Sequence, residues 1–94
     1  MKVLIVDDEP LARLRLRSLV EGLAQVSPAL ALSITAEAAD ADEALLALRD
    51  QFADVVLLDI GLPGRDGLRL ATALKALAQP PPVQRPAPHV LHAR

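Results

Sequence analysis

Residues 3–10 read Val-Leu-Ile-Val-Asp-Asp-Glu-Pro, an unbroken apolar run that ends abruptly in acidic residues. A continuous apolar run, largely β-branched and without alternation of polar and apolar positions, is typical of a strand buried on both faces of a parallel sheet. Pro10 suits the first turn of a helix, where its missing N–H costs no hydrogen bond. The stretch therefore predicts a buried strand followed directly by a helix.

A first helix is expected from Pro10 onward, because the apolar residues that follow fall on one face of a 3.6-residue repeat. These residues are Ala12, Leu16, Leu19, Val20 and Leu23. Gly22 and the loop containing Pro28 are expected to end the helix. Arg13 and Arg17 lie on other faces, four residues apart, and are expected to form a solvated surface rather than a phosphate site.

Two further strand–helix units follow along the chain. Residues 30–36 predict a second, weaker strand, and Asp40 with Glu43 forms a variant of the capping box that begins a helix. The apolar face of this second helix is expected to hold Ala41, Ala44, Leu45 and Leu48. Residues 55–58, Val-Val-Leu-Leu, predict a third strand, and the apolar spacing over residues 70–77 predicts a third helix. The order βαβαβα is typical of an α/β sheet with right-handed crossovers.

The composition excludes several classes of site. Aromatic residues make up only 1% of the chain and the net charge is −2, which argues against nucleic-acid binding by this chain. The chain has no Cys, which excludes thiol chemistry. Both His residues lie near its end, which argues against His-based triads and zinc sites. No apolar run is long enough to span a membrane. We therefore expect a cytoplasmic protein without membrane contact.

Acidic residues follow two of the predicted strands directly. Asp7 and Asp8 come after the first strand, and Asp59 comes after the third. Ligands of parallel sheets bind at the carboxyl ends of the strands, where three carboxylates would repel one another unless a cation compensates their charge. Ligands that offer only oxygen suit Mg²⁺. Beside such an ion, an Asp can attack phosphorus, and Asp59 is the better acceptor because a turn-rich loop follows it.

Each acidic site on its own has a simpler explanation. An acidic pair before a helix often serves only as a cap with favourable charge, and Asp59 alone would pass for a turn residue. Their conjunction at the ends of two buried strands is what indicates chemistry. A haloacid-dehalogenase-like phosphatase would need a residue between the two acids, and a dinucleotide site would need a Gly-rich turn. The sequence Asp-Asp-Glu-Pro provides neither.

Residues 3–9, together with the stretch 55–67 that reads Val-Val-Leu-Leu-Asp-Ile-Gly-Leu-Pro-Gly-Arg-Asp-Gly, resemble the receiver domain of bacterial two-component response regulators. Residues 7–17, DDEPLARLRLR, further resemble the regulators that carry a LytTR-type DNA-binding domain. The resemblance covers residues 1 to about 83. It implies a flavodoxin-like, CheY-like α/β fold, in which a parallel sheet of order 2-1-3-4-5 has helices on both faces. Here that fold is expected to be incomplete, with βαβαβα present.

The resemblance also implies a site and a partner. By position, Asp59 matches the phosphoacceptor, and a Mg²⁺ site is implied at Asp7, Asp8, Asp59 and the backbone carbonyl of Gly61. In this reading Asp8 binds the metal directly and Asp7 acts through water. A sensor histidine kinase is implied as the phosphoryl donor, and the chain itself is expected not to be an enzyme.

The chain departs from the family after the third helix. Family members continue into a fourth strand that ends in Ser or Thr and a fifth that ends in Lys, but here no Ser or Thr follows Thr72 and no Lys follows Lys75. Residues 80–94 hold five of the 8 prolines, and Val-Leu at 90–91 is too short to predict a strand. We therefore expect residues 1–79 to be the front part of a receiver domain and 80–94 to be a Pro-rich tail replacing its back. The third strand would then be an exposed apolar edge.

Two functions stay open at this point. The first is a phosphoacceptor receiver in a phosphorelay, with Asp59 as acceptor and slow or short-lived phosphorylation because the Lys and Ser/Thr are missing. The second is a truncated, non-phosphorylated fragment that acts only through protein–protein contact, as a homodimer or by pairing with a full-length regulator. A Mg²⁺-dependent phosphoryl adduct would favour the first, and a stable dimer without phosphodonor would favour the second.

Overall fold

In a computed structural model of the chain, residues 1–59, 72, 76 and 88–93 are described. The strands are β1 (Lys2–Val6), β2 (Ser33–Ala38), β3 (Val55–Asp59) and β4 (His89–Ala93). The helices are α1 (Pro10–Val26) and α2 (Ala41–Asp50), and a 3₁₀ turn over Pro28–Leu30 follows α1. The strands form one parallel sheet in the order β2-β1-β3-β4.

Both faces of the sheet carry a helix, as the sequence predicts, and among the fully described helices α1 covers one face and α2 the other. The core on the α1 side contains Val3, Ile5, Leu16, Val20, Leu30, Val55 and Leu57. The core on the α2 side contains Leu4, Val6, Ala38, Ala44, Ala53 and Val56. Because successive side chains of β1 point to opposite faces, each of its residues from 3 to 6 is buried. This explains why the first strand is apolar at consecutive positions.

Helix α1 runs past the glycine that was expected to end it. Gly22 is exposed within the helix, and the helix continues to Val26. The N–H of Ser27 donates to the carbonyl of Leu23 at 2.8 Å, and the helix stops there because Pro28 disfavours helical backbone at the residue before it. The apolar face is confirmed, since Ala12, Leu16 and Val20 are buried.

Helix α2 begins with the predicted capping box. The Glu43 N–H donates to Asp40 Oδ1 at 2.8 Å, and the Ala39 N–H donates to Glu43 Oε1 at 3.0 Å. The apolar face was predicted less accurately. Ala44 is buried, but Leu45 is 60% exposed, because the sheet receives the face that Ala44 shares with residues 47 and 48.

The end of the chain forms a strand that the sequence does not predict. Residues 89–93 pair in parallel with β3 in unbroken register, from Val55 with His89 to Asp59 with Ala93. The prolines of this region all precede β4, so none of them removes a ladder hydrogen bond. The expectation that β3 is an exposed edge is therefore wrong.

Other expectations fall partly or wholly outside the described residues. Thr72 and Ala76 are helical, as the third predicted helix requires, but the apolar positions expected on that helix lie outside the described part of the chain. The expected division between residues 79 and 80 lies outside it as well and stays a prediction. No helix within the described ranges combines the length and the apolar character that a membrane span needs.

Candidate functional site

The register of the sheet brings the candidate acids together at the carboxyl ends of the strands. Val6 of β1 pairs with Leu58 of β3, so Asp7 and Asp59 are the next residues along two neighbouring parallel strands. Asp8 follows Asp7 at the same end of the sheet. The backbone positions of all three acids therefore meet where parallel sheets bind their ligands. Gly61, the fourth candidate, lies outside the described residues.

Hydrogen bonds at the amino-terminal ends of the strands fix this register. The Lys2 N–H donates to Asp54 Oδ2 at 2.7 Å, and the Asp54 N–H donates to the Lys2 carbonyl at 2.8 Å. The Asp54 carbonyl in turn accepts from the His89 N–H at 3.0 Å. Asp54 thus aligns β1, β3 and β4 at their amino-terminal ends, which sets the neighbours of Asp59 at the other end.

Asp7 is half-buried, and hydrogen bonds to Ala38, Glu9 and Arg13 hold it in place. Its N–H donates to the Ala38 carbonyl at 3.0 Å, which extends the β1–β2 ladder by one residue. Its Oδ1 accepts from the Glu9 N–H at 2.8 Å, and its carbonyl accepts from Arg13 Nη1 at 2.6 Å. The path of the chain from β1 into α1 is therefore organised around Asp7.

Asp8 offers the more accessible carboxylate. Its residue is exposed, and within the described part of the chain its carboxylate has no hydrogen-bond or ion-pair partner. An exposed carboxylate beside a second carboxylate is a donor set of oxygen atoms, which fits a hard divalent cation such as Mg²⁺. Among the described side chains, no group of three or more His, Cys, Asp or Glu residues could hold a metal ion. The carbonyl predicted at Gly61 would add a further oxygen donor.

Arg13 and Arg17 are partly exposed, as expected, but they also converge on one carboxylate, which the sequence does not predict. Arg17 Nε donates to Glu37 Oε2 at 2.6 Å and its Nη2 also pairs with that oxygen, while Arg13 Nε lies 3.6 Å from Glu37 Oε1. The hydrogen bond to Glu37 is the main reason that the pKa of Arg17 is raised above its usual value. Arg17 Nη1 also lies 3.5 Å from Glu21 Oε2. No sequence pattern indicates this cluster, because Glu37 lies on β2, far from α1 in the sequence.

Comparison with known families and proteins gives a consistent result. The model of the response regulator receiver domain matches residues 3–85. The positive alginate biosynthesis regulatory protein of Pseudomonas aeruginosa is 44% identical over 86 residues, which are 88% of this chain and 32% of that protein. The sensory transduction protein LytR of Staphylococcus haemolyticus is 40% identical over 81 residues, which are 86% of this chain and 29% of that protein. The chain thus spans about a third or less of the length of these relatives.

A relative with an enzyme name and a solved structure complete the comparison. The protein-glutamate methylesterase/protein-glutamine glutaminase 1 of Cereibacter sphaeroides is 42% identical over 82 residues, 87% of this chain and 20% of that protein. The crystal structure of the P1 domain of CheA3 in complex with CheY6 from R. sphaeroides matches 98% of this chain and 81% of that chain. Its TM-score is 0.53 at 24% identity, which supports the CheY-like α/β fold and nothing more. With the family model spanning most of its length, the chain belongs to the response regulator receiver domain family.

Proposed function

We propose that this chain is the phosphoacceptor receiver of a phosphorelay, with Asp59 as the acceptor. The observation that carries the proposal is the pairing of Val6 with Leu58, which makes Asp59 the neighbour of the acidic residues that follow β1. Membership of the receiver family supports the same assignment. The relatives named as regulatory and sensory transduction proteins support a signalling role for a longer protein that contains such a chain.

The proposed metal site consists of Asp7, Asp8, Asp59 and the backbone carbonyl of Gly61. A bound Mg²⁺ ion supplies positive charge that offsets the negative charge of phosphoryl oxygens. Asp8 carries the exposed carboxylate suited to direct contact with the ion. Asp7 is already engaged by the Glu9 N–H, which suits it to act through water while it holds the loop.

The proposed transfer is a displacement at phosphorus. A carboxylate oxygen of Asp59 forms a bond to the phosphorus atom while the bond to the leaving group breaks, and the leaving group retains the electron pair. When the donor is the phosphohistidine of a sensor histidine kinase, the leaving atom is an imidazole nitrogen. The chain then acts as an acceptor rather than as an enzyme.

The test is intact-protein mass spectrometry after incubation with acetyl phosphate, with and without Mg²⁺. We expect one phosphoryl addition that requires Mg²⁺ and is lost in Asp59→Asn. Asp50→Asn is the matched control, because Asp50 is an exposed acid at the last residue of α2, which leads into the opposite, amino-terminal end of β3. An unchanged adduct in Asp59→Asn, or no adduct in a sample shown to be folded, would refute the proposal.

A second function is favoured by the position of β4. Within the described sheet β4 is an edge strand, and its Val90 is 52% exposed. An exposed strand edge can pair with another chain. In this alternative, the chain acts without phosphorylation, as a homodimer or by pairing with a full-length regulator. Sedimentation of the chain without phosphodonor, alone and together with a full-length regulator, tests this alternative. A stable dimer or a mixed complex supports it, and a chain that stays monomeric in both samples contradicts it.

A further inference from the structure

Arg13 connects the acidic loop after β1 to the second strand. Its Nη1 donates to the Asp7 carbonyl at 2.6 Å, and its Nε lies 3.6 Å from Glu37 Oε1. The side chain is only 22% exposed. A guanidinium is planar and carries its donors in a fixed fork, so a carboxylate on one side of the fork orients the donors on the other. Glu37 therefore sets the direction from which Arg13 approaches Asp7.

The carbonyl that Arg13 binds belongs to the peptide group between Asp7 and Asp8. Strand β1 ends at Val6 and helix α1 begins at Pro10, so this peptide group lies outside both elements. The hydrogen bond from Arg13 restricts its rotation, and the bond from the Glu9 N–H to Asp7 Oδ1 closes the following turn. Because Asp8 is joined to the restricted peptide, the direction of its side chain depends on Arg13.

We propose that Arg13, anchored by Glu37, is a positioning residue that fixes the Asp7–Asp8 peptide and thereby preorganises the Asp8 carboxylate for a divalent cation. The metal part of this inference rests on the proposed function. The restriction of the peptide does not, because it follows from the two contacts of Arg13 alone.

Positioning and simple charge predict opposite effects on metal binding. Arg13 is a cation in contact with the loop that carries Asp7 and Asp8, so by Coulomb's law its removal would strengthen Mg²⁺ binding. If Arg13 positions Asp8, its removal weakens binding instead. Groups that hold a metal ligand in place typically change metal affinity by about 10–100-fold, so we expect about tenfold weaker Mg²⁺ binding in Arg13→Gln. Arg13→Lys keeps the positive charge and loses the forked donors of the guanidinium, so we expect its Mg²⁺ affinity to lie between those of the wild type and Arg13→Gln.

The experiment is a Mg²⁺ titration of the ¹⁵N-labelled chain without phosphodonor, followed through the amide signals of Asp8 and Glu9. Arg17→Gln is the matched control, because Arg17 shares the Glu37 partner and does not contact Asp7. We expect its Mg²⁺ affinity to remain within about twofold of the wild type, since the Arg13 contact survives. At saturating Mg²⁺, Arg13→Gln should form as much phosphorylated chain with acetyl phosphate as the wild type does, because Asp59 is intact.

A second readout needs no metal. In the metal-free wild type, the order parameter of the Asp8 amide should be near the value of about 0.85 typical of rigid backbone, and it should fall toward about 0.6 in Arg13→Gln. The inference would be overturned if Arg13→Gln kept both the Mg²⁺ affinity and the Asp8 order parameter of the wild type. It would also be overturned if Arg17→Gln lost as much Mg²⁺ affinity as Arg13→Gln. If the wild type itself binds no Mg²⁺, the proposed function fails, while the order parameter still decides the role of Arg13. Should Arg13→Gln not fold, Arg13→Lys carries both readouts.

Discussion

Glu37 is the residue on which the charged side chains of α1 converge, although it lies on β2. Both Arg13 and Arg17 reach its carboxylate, and Arg17 also approaches Glu21. The pKa of Arg17 is raised, first by its hydrogen bond to Glu37. A group whose pKa is higher in the folded chain than in the unfolded chain stabilises the fold at every pH below its unfolded pKa. This stabilisation is lost only as the pH rises through the folded pKa. The contribution of Arg17 is therefore constant across the neutral range.

Replacing Glu37 by Gln should lower the free energy of unfolding by about 1 kcal/mol at low salt. Partly exposed ion pairs are worth about 0.2–1 kcal/mol, and two arginines on one carboxylate place this cluster at the upper end. Urea unfolding at low and high NaCl checks the prediction. Because salt screens exposed charges, the difference from the wild type should shrink at about 1 M NaCl. A difference that does not change with salt would contradict an electrostatic origin.

The candidate acids could be predicted from the sequence, and the residues that position them could not. Asp7, Asp8 and Asp59 follow apolar runs that are recognisable as buried strands, so their meeting at one edge follows from the topology. Arg13 and Glu37 meet only because α1 packs beside β2, and no local spacing encodes that contact. The pattern therefore predicts which acids meet at the carboxyl ends of the strands, and it does not predict the side chains that contact the loop after β1.

At the scale of elements, α1 tolerates a residue that usually ends helices. Gly22 stays helical because its neighbours Leu19, Val20 and Leu23 pack against the sheet, and this packing outweighs local preference. The same conflict explains α2, where leucines at three nearby positions gave no unique apolar face and Leu45 was wrongly assigned to the core. Tertiary packing decided both cases.

Replacing Gly22 by Ala should raise the free energy of unfolding by about 0.5–1 kcal/mol. Glycine in a helix interior costs about this much relative to alanine, and a Cβ at Gly22 would meet no atom within 4 Å. Thermal or urea unfolding of the two chains measures the change. Ala24→Gly, a second interior position of α1, should lower the stability in return. A decrease in stability for Gly22→Ala would mean that α1 ends at Gly22 after all.

Strand β4 was missed because its residues are short of local signals. Residues 89–93 include two His and only two large apolar side chains, and prolines precede them. The strand forms through its pairing with β3, and Leu91 packs against the core on the α1 side. Long-range pairing of this kind leaves little trace in a short stretch of sequence.

Proline substitutions along β4 should distinguish its two edges. The His89 N–H points to Asp54 on the β3 side, so by alternation the Leu91 N–H also points to β3 and the Val90 N–H points away. Leu91→Pro should therefore lower the free energy of unfolding by about 1–3 kcal/mol more than Val90→Pro, because it leaves a ladder carbonyl of β3 without its donor. Leu91→Ala controls for the lost side chain. Equal effects of the two prolines in urea unfolding would contradict the pairing of β4 with β3.

At the scale of the whole molecule, the described chain is a four-stranded receiver fold with its candidate site at one edge. The chain spans about a third or less of its curated relatives, yet residues from both ends of the described sequence join one sheet. The strand order β2-β1-β3 agrees with the order that the resemblance to receiver domains implies. The addition of β4 changes what the molecule exposes, because β3 is now an interior strand.

Binding of Mg²⁺ to the proposed site should stabilise the folded chain. A ligand that binds only the folded state at about 100 times its dissociation constant adds about 2.7 kcal/mol. We expect the Tm of the wild type to rise with added Mg²⁺ and that of Asp8→Asn to stay constant. Without Mg²⁺, Asp8→Asn should be at least as stable as the wild type, because one of two neighbouring like charges is removed. An equal rise of Tm in both chains would place the cation elsewhere.

The most direct test of the central claim is to locate the phosphoryl group itself. After incubation with acetyl phosphate and Mg²⁺, reduction with borohydride converts an aspartyl phosphate to homoserine, which peptide mass spectrometry assigns to a residue. The account predicts homoserine at position 59 and at no other acid. Homoserine at position 7 or 8, or a reduced residue on α2, would contradict the assignment of Asp59 as the acceptor.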